Sequence, residues 1–236
     1  MPPVPDDALP TWRFEFYAPV ASFRDPLFPG LSHGLPVPPP STVRGMLAAA
    51  TGKPSELVPF GMASYGDGNG VDAETYHPID AGGANRAVSG RVRAGKGGMT
   101  IRDRPFLVGV HLTVWIPGRD GDRIEQALRR PRWALRLGRS QDIVHLRERC
   151  QVALEPASDA VVDHALAPVG SHAAPSAVVH RLASAVSTDR LTTTWADYQW
   201  CEEQTGNWPV SGAYRERTVP GQDRDLPGRA VWLLTP

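Results

Sequence analysis

Residues 35–52, LPVPPPSTVRGMLAAATG, turn a proline rod into a helix within a few positions, which fixes where one element of the fold must begin. Pro36, Pro38, Pro39 and Pro40 hold an extended approach and discourage helix before Ser41, because each ring fixes its own φ and restricts the residue ahead of it. Ser41 suits an N-cap, its hydroxyl answering an orphan amide of the first turn. Thr42, Val43 and Arg44 then offer free amides at the positive end of the helix dipole with a guanidinium beside them, an arrangement that fits a phosphate. Met46, Leu47 and the alanines at 48–50 give a small-residue helix able to lie close on a sheet, and Gly52 is placed to end it. The same residues also suit an ordinary capped helix with an exposed arginine, and this segment alone leaves both readings open.

Around that helix the apolar pattern has the period of strands. Residues 11–18 (TWRFEFYA) alternate Trp12, Phe14 and Phe16 with Arg13, Glu15 and Tyr17, as a half-buried strand does. Residues 58–65 suit a second strand, with Gly66 to Gly70 reading as the turn that ends it. Residues 106–116 (FLVGVHLTVWI) have the Val and Ile content of a buried central strand. Residues 120–130 (DGDRIEQALRR) form a short amphipathic helix with acids in its first turn and arginines in its last, and residues 150–154 suit a further strand. The order is strand, helix, strand, long basic insertion, strand, helix, strand, which predicts an α+β, ferredoxin-like (RRM-like) βαββαβ core. That core is placed at residues 1–155 and a polar, Ala-rich C-terminal extension at 156–236. No RNP-type signature of the RNA recognition motif is present.

Net charge is zero, yet the charges are segregated along the chain. Residues 1–85 carry a net −5, residues 86–149 a net +9 and residues 150–236 a net −4. Fourteen of the fifteen central cations are arginine, the residue that grips phosphate in a fork and stacks on bases, and this favours a nucleic-acid partner over a merely solvated basic face. No apolar run approaches the ~20 residues of a membrane span, and the first residues lack a signal peptide's pattern, so a cytoplasmic protein without membrane contact is expected. Cys150 and Cys201 are isolated and the seven histidines are scattered, so no metal or other cofactor is expected.

A second glycine turn lies at residues 131–146 (PRWALRLGRSQDIVHL). Gly138 permits close backbone approach to a ligand, Arg139 and Ser140 offer phosphate donors, and Trp133 offers a stacking face. A tight turn without a ligand would use the same residues. In a βαββαβ unit this loop and the start of the first helix can converge on one sheet edge and face one groove.

With these motifs in place, the sequence resembles the CRISPR-associated RAMP superfamily, and within it the fifth Cas family, the subunit that caps the crRNA 5′ handle in Cascade. The resemblance is carried by FRDPLFP at 23–29, PPPSTVRGML at 38–47, LGRSQDIV at 137–144 and the basic insertion, and it covers roughly residues 11–155. It implies a ferredoxin-like core, a thumb hairpin inserted at about 82–105, and a type I-B or closely related system. It implies as partners the crRNA 5′ handle, the Cascade backbone subunit, the large subunit and, indirectly through the guide, target DNA. By motif, Ser41, Thr42 and Arg44 fall at the first helix start. Trp133, Gly138, Arg139 and Ser140 fall in the glycine loop, and Arg86, Arg91, Arg93, Lys96, Arg102 and Arg104 in the thumb.

One branch of the family cuts repeat RNA without metal, chemistry that needs a base at a 2′-hydroxyl and an acid for the leaving oxygen. Tyr17, His33, His77, His111 and His145 are of the right type, but no spacing demands that any two be close, and Lys96 is the one lysine near the expected groove. The expectation is a non-catalytic binding subunit, with a metal-independent endoribonuclease as the alternative. In the extension, Trp195, Trp200 and Trp208 crowd together with Tyr198, Cys201 and three acids, which fits either a core or a docking face for the large subunit.

Overall fold

The computed structural model describes residues 8–25, 33–76, 100–218 and 228–236. In chain order these form β1 (Leu9–Ala21), α1 (Pro40–Thr51), β2 (Gly61–Tyr76), β3 (Thr100–Pro117), α2 (Gly118–Arg129), β4 (His145–Asp163), β5 (Ala167–Pro168), β6 (Ala177–Val186), β7 (Thr193–Cys201), β8 (Gln204–Thr218) and β9 (Ala230–Val231). A six-stranded sheet runs β2-β3-β1-β4-β8-β9 and a three-stranded sheet runs β5-β7-β6, with antiparallel pairing throughout both.

The alternation in β1 divides its side chains between two faces. Phe14, Phe16 and Ala18 join Val110, Leu112, Val114 and Ile116 of β3 in a core covered by Val43, Met46 and Leu47 of α1 and Ile124 and Leu128 of α2. Each large side chain so buried stabilises the fold by about 1.5–3 kcal/mol. The other face is not simply polar. Arg13 and Trp115, paired across β1 and β3, are both buried there with Glu216 of β8. The Glu216 carboxylate accepts from Arg13 at 3.1 Å, Trp115 Nε1 at 3.2 Å and Arg229 at 3.2 Å. A charge without water needs all of its partners, and here they tie β1, β3, β8 and the C-terminal segment together.

Three elements differ from expectation. Gly66 to Gly70 do not turn: β2 continues through them to Tyr76 because β3 begins at Thr100 and pairs with it throughout. A Cβ at Gly70 would meet the Phe106 ring at 2.6 Å, so the glycine lets that ring lie across the strand. The helix begins two residues early, with Pro39 as N-cap and Pro40 as its first residue, a position where a missing N–H costs nothing. Ser41 therefore lies inside α1, not at its cap. Finally, β4 runs unbroken through residue 155, and β8 and β9 continue its sheet, so the 155/156 boundary falls inside a strand. The extension is woven in because β4 has an open edge that only later residues can pair.

Candidate nucleic-acid interface

Arg44 is corrected first. Its side chain turns inward from α1 and is buried, its Nε donating to the Ser184 carbonyl at 3.1 Å and its Nη2 to that of Leu234 at 3.2 Å. Nη1 donates to the carbonyls of Val58 at 2.6 Å and Glu56 at 3.4 Å, and the guanidinium lies 4.8 Å from the Phe60 ring centroid. Burial holds its pKa below the ordinary value. With its donors committed to carbonyls from three separate segments, it fastens the fold and offers no phosphate fork. The amides of Thr42 and Val43 both donate to the Pro39 carbonyl, at 2.9 and 3.4 Å, so they are not free for an anion either. Ser41 lines a small pocket with Arg44, Ser187 and Arg190.

The glycine loop is organised by Asp142. Its buried carboxylate accepts from the backbone N–H groups of Ser22 at 3.0 Å and Arg139 at 2.8 Å, and from Arg139 Nε at 3.1 Å. Gly138 has φ +108, and a Cβ there would lie 2.7 Å from the Ser22 carbonyl, so the glycine permits close approach to the end of β1 rather than to a ligand. Arg139 is only 9% exposed and also reaches Glu74 at 2.9 Å and Asp72 at 3.5 Å. Burial pulls its pKa down, but Asp142 and Glu74 outweigh it and hold it above the ordinary value. Arg139 thus enters the site already paired, a correction to its reading as an open donor.

The strands leading into and out of the expected thumb meet this loop. Arg104 of β3 donates to Ser22 Oγ at 2.9 Å and lies 3.8 Å from Glu74 of β2. Between them is an open cleft of about 690 Å³ lined by Val20, Val71, Phe106, Arg139, Ile143 and His145 among others. It shares no lining residue with the pocket at the start of α1, so the expected convergence into one groove is not observed. Ser140 and Trp133 are exposed, Trp133 by 64% with Arg132 5.7 Å from its ring. Arg102 is exposed on β3. Arg86, Arg91, Arg93, Lys96 and His77 lie outside the described residues.

The sheet gathers residues that spacing could not. Tyr17 and His111 are cross-strand partners with ring centroids 5.2 Å apart, and His111 stacks on Tyr65 of β2 at 4.6 Å. Tyr65 in turn lies 4.7 Å from His164, which follows β4 with φ +52, and Asp67 is 3.4 Å from His111 Nε2. Burial, then Asp67 and Asp163, push the Tyr65 phenol above its ordinary pKa. Arg147 lies 3.7 Å from the Tyr17 ring centroid. Tyr65, His164 and Arg147 were missed in the sequence; the recoverable signal was that Tyr17 and His111 occupy the polar-face positions of adjacent strands. His145 pairs with Tyr17 in register, whereas His33 lies beside Asp25. Among the described residues no group of His, Cys, Asp and Glu could hold a metal, and no helix is long and apolar enough to cross a membrane.

A family model described as CRISPR-associated protein (Cas_Cas5) matches residues 11–219. No curated protein matches the sequence. Among solved structures, one described as "CRISPR RNA-guided surveillance complex" is similar at TM-score 0.53 and 20% identity, covering 83% of this chain and 90% of that chain. Others are "Crystal structure of a CRISPR protein from Archaeoglobus fulgidus" (TM-score 0.48, 11% identity, 94% and 98% covered) and "Crystal structure of Cas protein" (0.45, 15%, 83% and 98%). The first likeness is one of fold, a mixed α/β arrangement built mainly from antiparallel strands. Since the family model runs from the start of β1 to just past the end of β8, the chain belongs to the CRISPR-associated Cas5 family.

Proposed function

We propose that this protein is the non-catalytic guide-binding subunit of a type I Cascade, capping the crRNA 5′ handle and joining the backbone subunits to the large subunit in antiviral defence. The carrying observation is the family match over residues 11–219, and the likeness to a chain of an RNA-guided surveillance complex agrees with it. On this reading β1-α1-β2-β3-α2-β4, in sheet order β2-β3-β1-β4, is a ferredoxin-like core. The ladder of β2 and β3, paired out to Tyr76 and Thr100, is the root of a basic thumb. The handle lies in the cleft between the glycine loop and that root, where Arg102, Arg104, Ser140 and Trp133 supply phosphate and base contacts.

A repeat-derived handle RNA should therefore bind with log Kd rising linearly in log salt, each phosphate contact adding ~0.7 to the slope for a single strand. Salt-independent binding, or none, would overturn the assignment. One observation favours the endoribonuclease as a second reading: Tyr17, Tyr65, His111 and His164 stand in one row, within reach of acid–base chemistry. Incubation of the protein alone with cognate repeat RNA separates the two, since a site-specific 2′,3′-cyclic phosphate product establishes the nuclease and intact RNA the binding subunit.

A further inference from the structure

The sheet face opposite α1 and α2 is closed at the Trp115 end, where Arg13 and Glu216 are buried, and open at the Tyr17 end. At the open end β4 departs from regular pairing. Glu15 faces Glu148 and Phe16 faces Leu146, so Arg147 is an extra residue on the β4 side of the ladder. A bulge of this kind re-aims a side chain, and this one carries the exposed Arg147 guanidinium to 3.7 Å from the Tyr17 ring centroid. That is van der Waals contact between a planar cation and a π face. The far side of the row is fixed as well: His164, held at φ +52, lies against Tyr65, which stacks on His111, whose ring meets Tyr17 at 64°. A strained backbone behind an ordered ring row points to a preorganised surface.

The cleft of the guide-binding reading lies next to it. His145, opposite Tyr17 in register, lines the cleft that also contains Arg139 and Ile143. A single strand leaving that cleft along β4 arrives at the Tyr17–Arg147 pair. An unpaired nucleobase is a flat π system that stacks on phenol rings and under guanidinium planes alike.

We infer that Tyr17 and Arg147 form a clamp for one unpaired base of single-stranded RNA: the exposed guanidinium lifts off the ring to admit the base between them, while His111 and Tyr65 hold the ring in place. This contact is additional to the glycine loop and rests on the guide-binding reading above. It asks nothing of the Tyr17 hydroxyl, which separates it from an acid–base role for the same residue.

The test uses handle-length RNAs carrying 2-aminopurine at successive positions, titrated into the whole protein. With wild type, stacking should quench one position more strongly than its neighbours. Tyr17→Phe should keep that quenching and bind within about twofold of wild type. Tyr17→Leu, which keeps bulk without a π face, should lose it and bind about tenfold more weakly. Arg147→Ala, an exposed site where folding is not at risk, should reduce both. If wild type binds RNA but Tyr17→Leu and Arg147→Ala match it in affinity and quenching, the clamp is overturned and guide binding stands. Loss with Tyr17→Phe equal to that with Tyr17→Leu would overturn it in favour of the hydroxyl. Failure of wild type to bind any of the RNAs would overturn the guide-binding reading and the clamp with it.

Discussion

Arg139 and Glu74 meet at 2.9 Å across 65 residues of sequence, joining the glycine loop before β4 to the strand that leads towards the basic insertion. The pair sets both the rigidity and the charge of the cleft. With Asp142 and Asp72 also on Arg139, the cation is largely neutralised by carboxylates before any phosphate arrives.

Arg139→Ala should therefore act on stability first. It leaves Asp142, whose side chain is 2% exposed, with backbone amides alone, and breaking such a pair costs about 3 kcal/mol. Arg139→Lys should recover only part, because an ammonium lacks the fork that spans two elements. Urea unfolding checks both. Glu74→Gln should instead tighten RNA binding by about threefold in a low-salt filter assay, since it unmasks Arg139 and Arg104. Equal or weaker binding would show that these arginines never meet the RNA.

Arg44→Ala strips a donor from the carbonyls of Ser184, Glu56, Val58 and Leu234 at once, of which Leu234 keeps the Phe60 N–H. Unsatisfied buried acceptors cost about 1–3 kcal/mol each before water enters, so a lower melting temperature is expected. The salt slope of RNA binding, measured on the folded fraction, should not change. A slope reduced by one phosphate contact would return Arg44 to the interface.

A pH prediction comes from Glu56, whose carboxylate takes two hydrogen bonds from Arg123 at 2.8 and 2.9 Å. Burial raises its pKa, but the bonds from Arg123 and Thr51 and the charges of Arg123 and Lys53 prevail and hold it below the ordinary value of 4.5. A carboxyl depressed in the folded state contributes stability above its unfolded pKa and loses it as pH falls through the folded one. Wild type should thus lose melting temperature below about pH 4.5 in part through this group. In Arg123→Met burial faces less opposition, and the acid limb should flatten. Superimposable acid limbs for the two proteins would refute this.

How far the sequence could be read depended on where each residue's partners lay. β1, β3 and both helices were legible because their apolar periods face one core. Arg44 and Arg139 were not, since an arginine reads as an exposed cation until partners 140, 190 or 65 positions away are known. The strands beyond residue 155 hid for a related reason. Arg215 and Arg217 of β8 pair with Asp159 and Glu155 of β4, so an ordered ladder looks like a polar tail. Tyr17 and His111 were recognised as types, but only the register of β1 on β3 makes them neighbours.

The tryptophans of the tail give the last prediction. Trp200 is buried on β7, and its Nε1 donates to the Ser64 carbonyl of β2 at 2.9 Å, pinning the three-stranded sheet to the larger one. Tyr198 and Cys201 are buried beside it, whereas Trp195 and Trp208 are only partly covered. Trp200→Ala should cost about 3–5 kcal/mol, the range for a large aromatic lost from a core, and Trp200→Phe about 1 kcal/mol for the hydrogen bond with some added loss of packing. Chemical denaturation of both variants measures this directly. If Trp200→Ala melts like wild type yet fails to assemble with other Cascade subunits, Trp200 belongs to a docking face instead of the core.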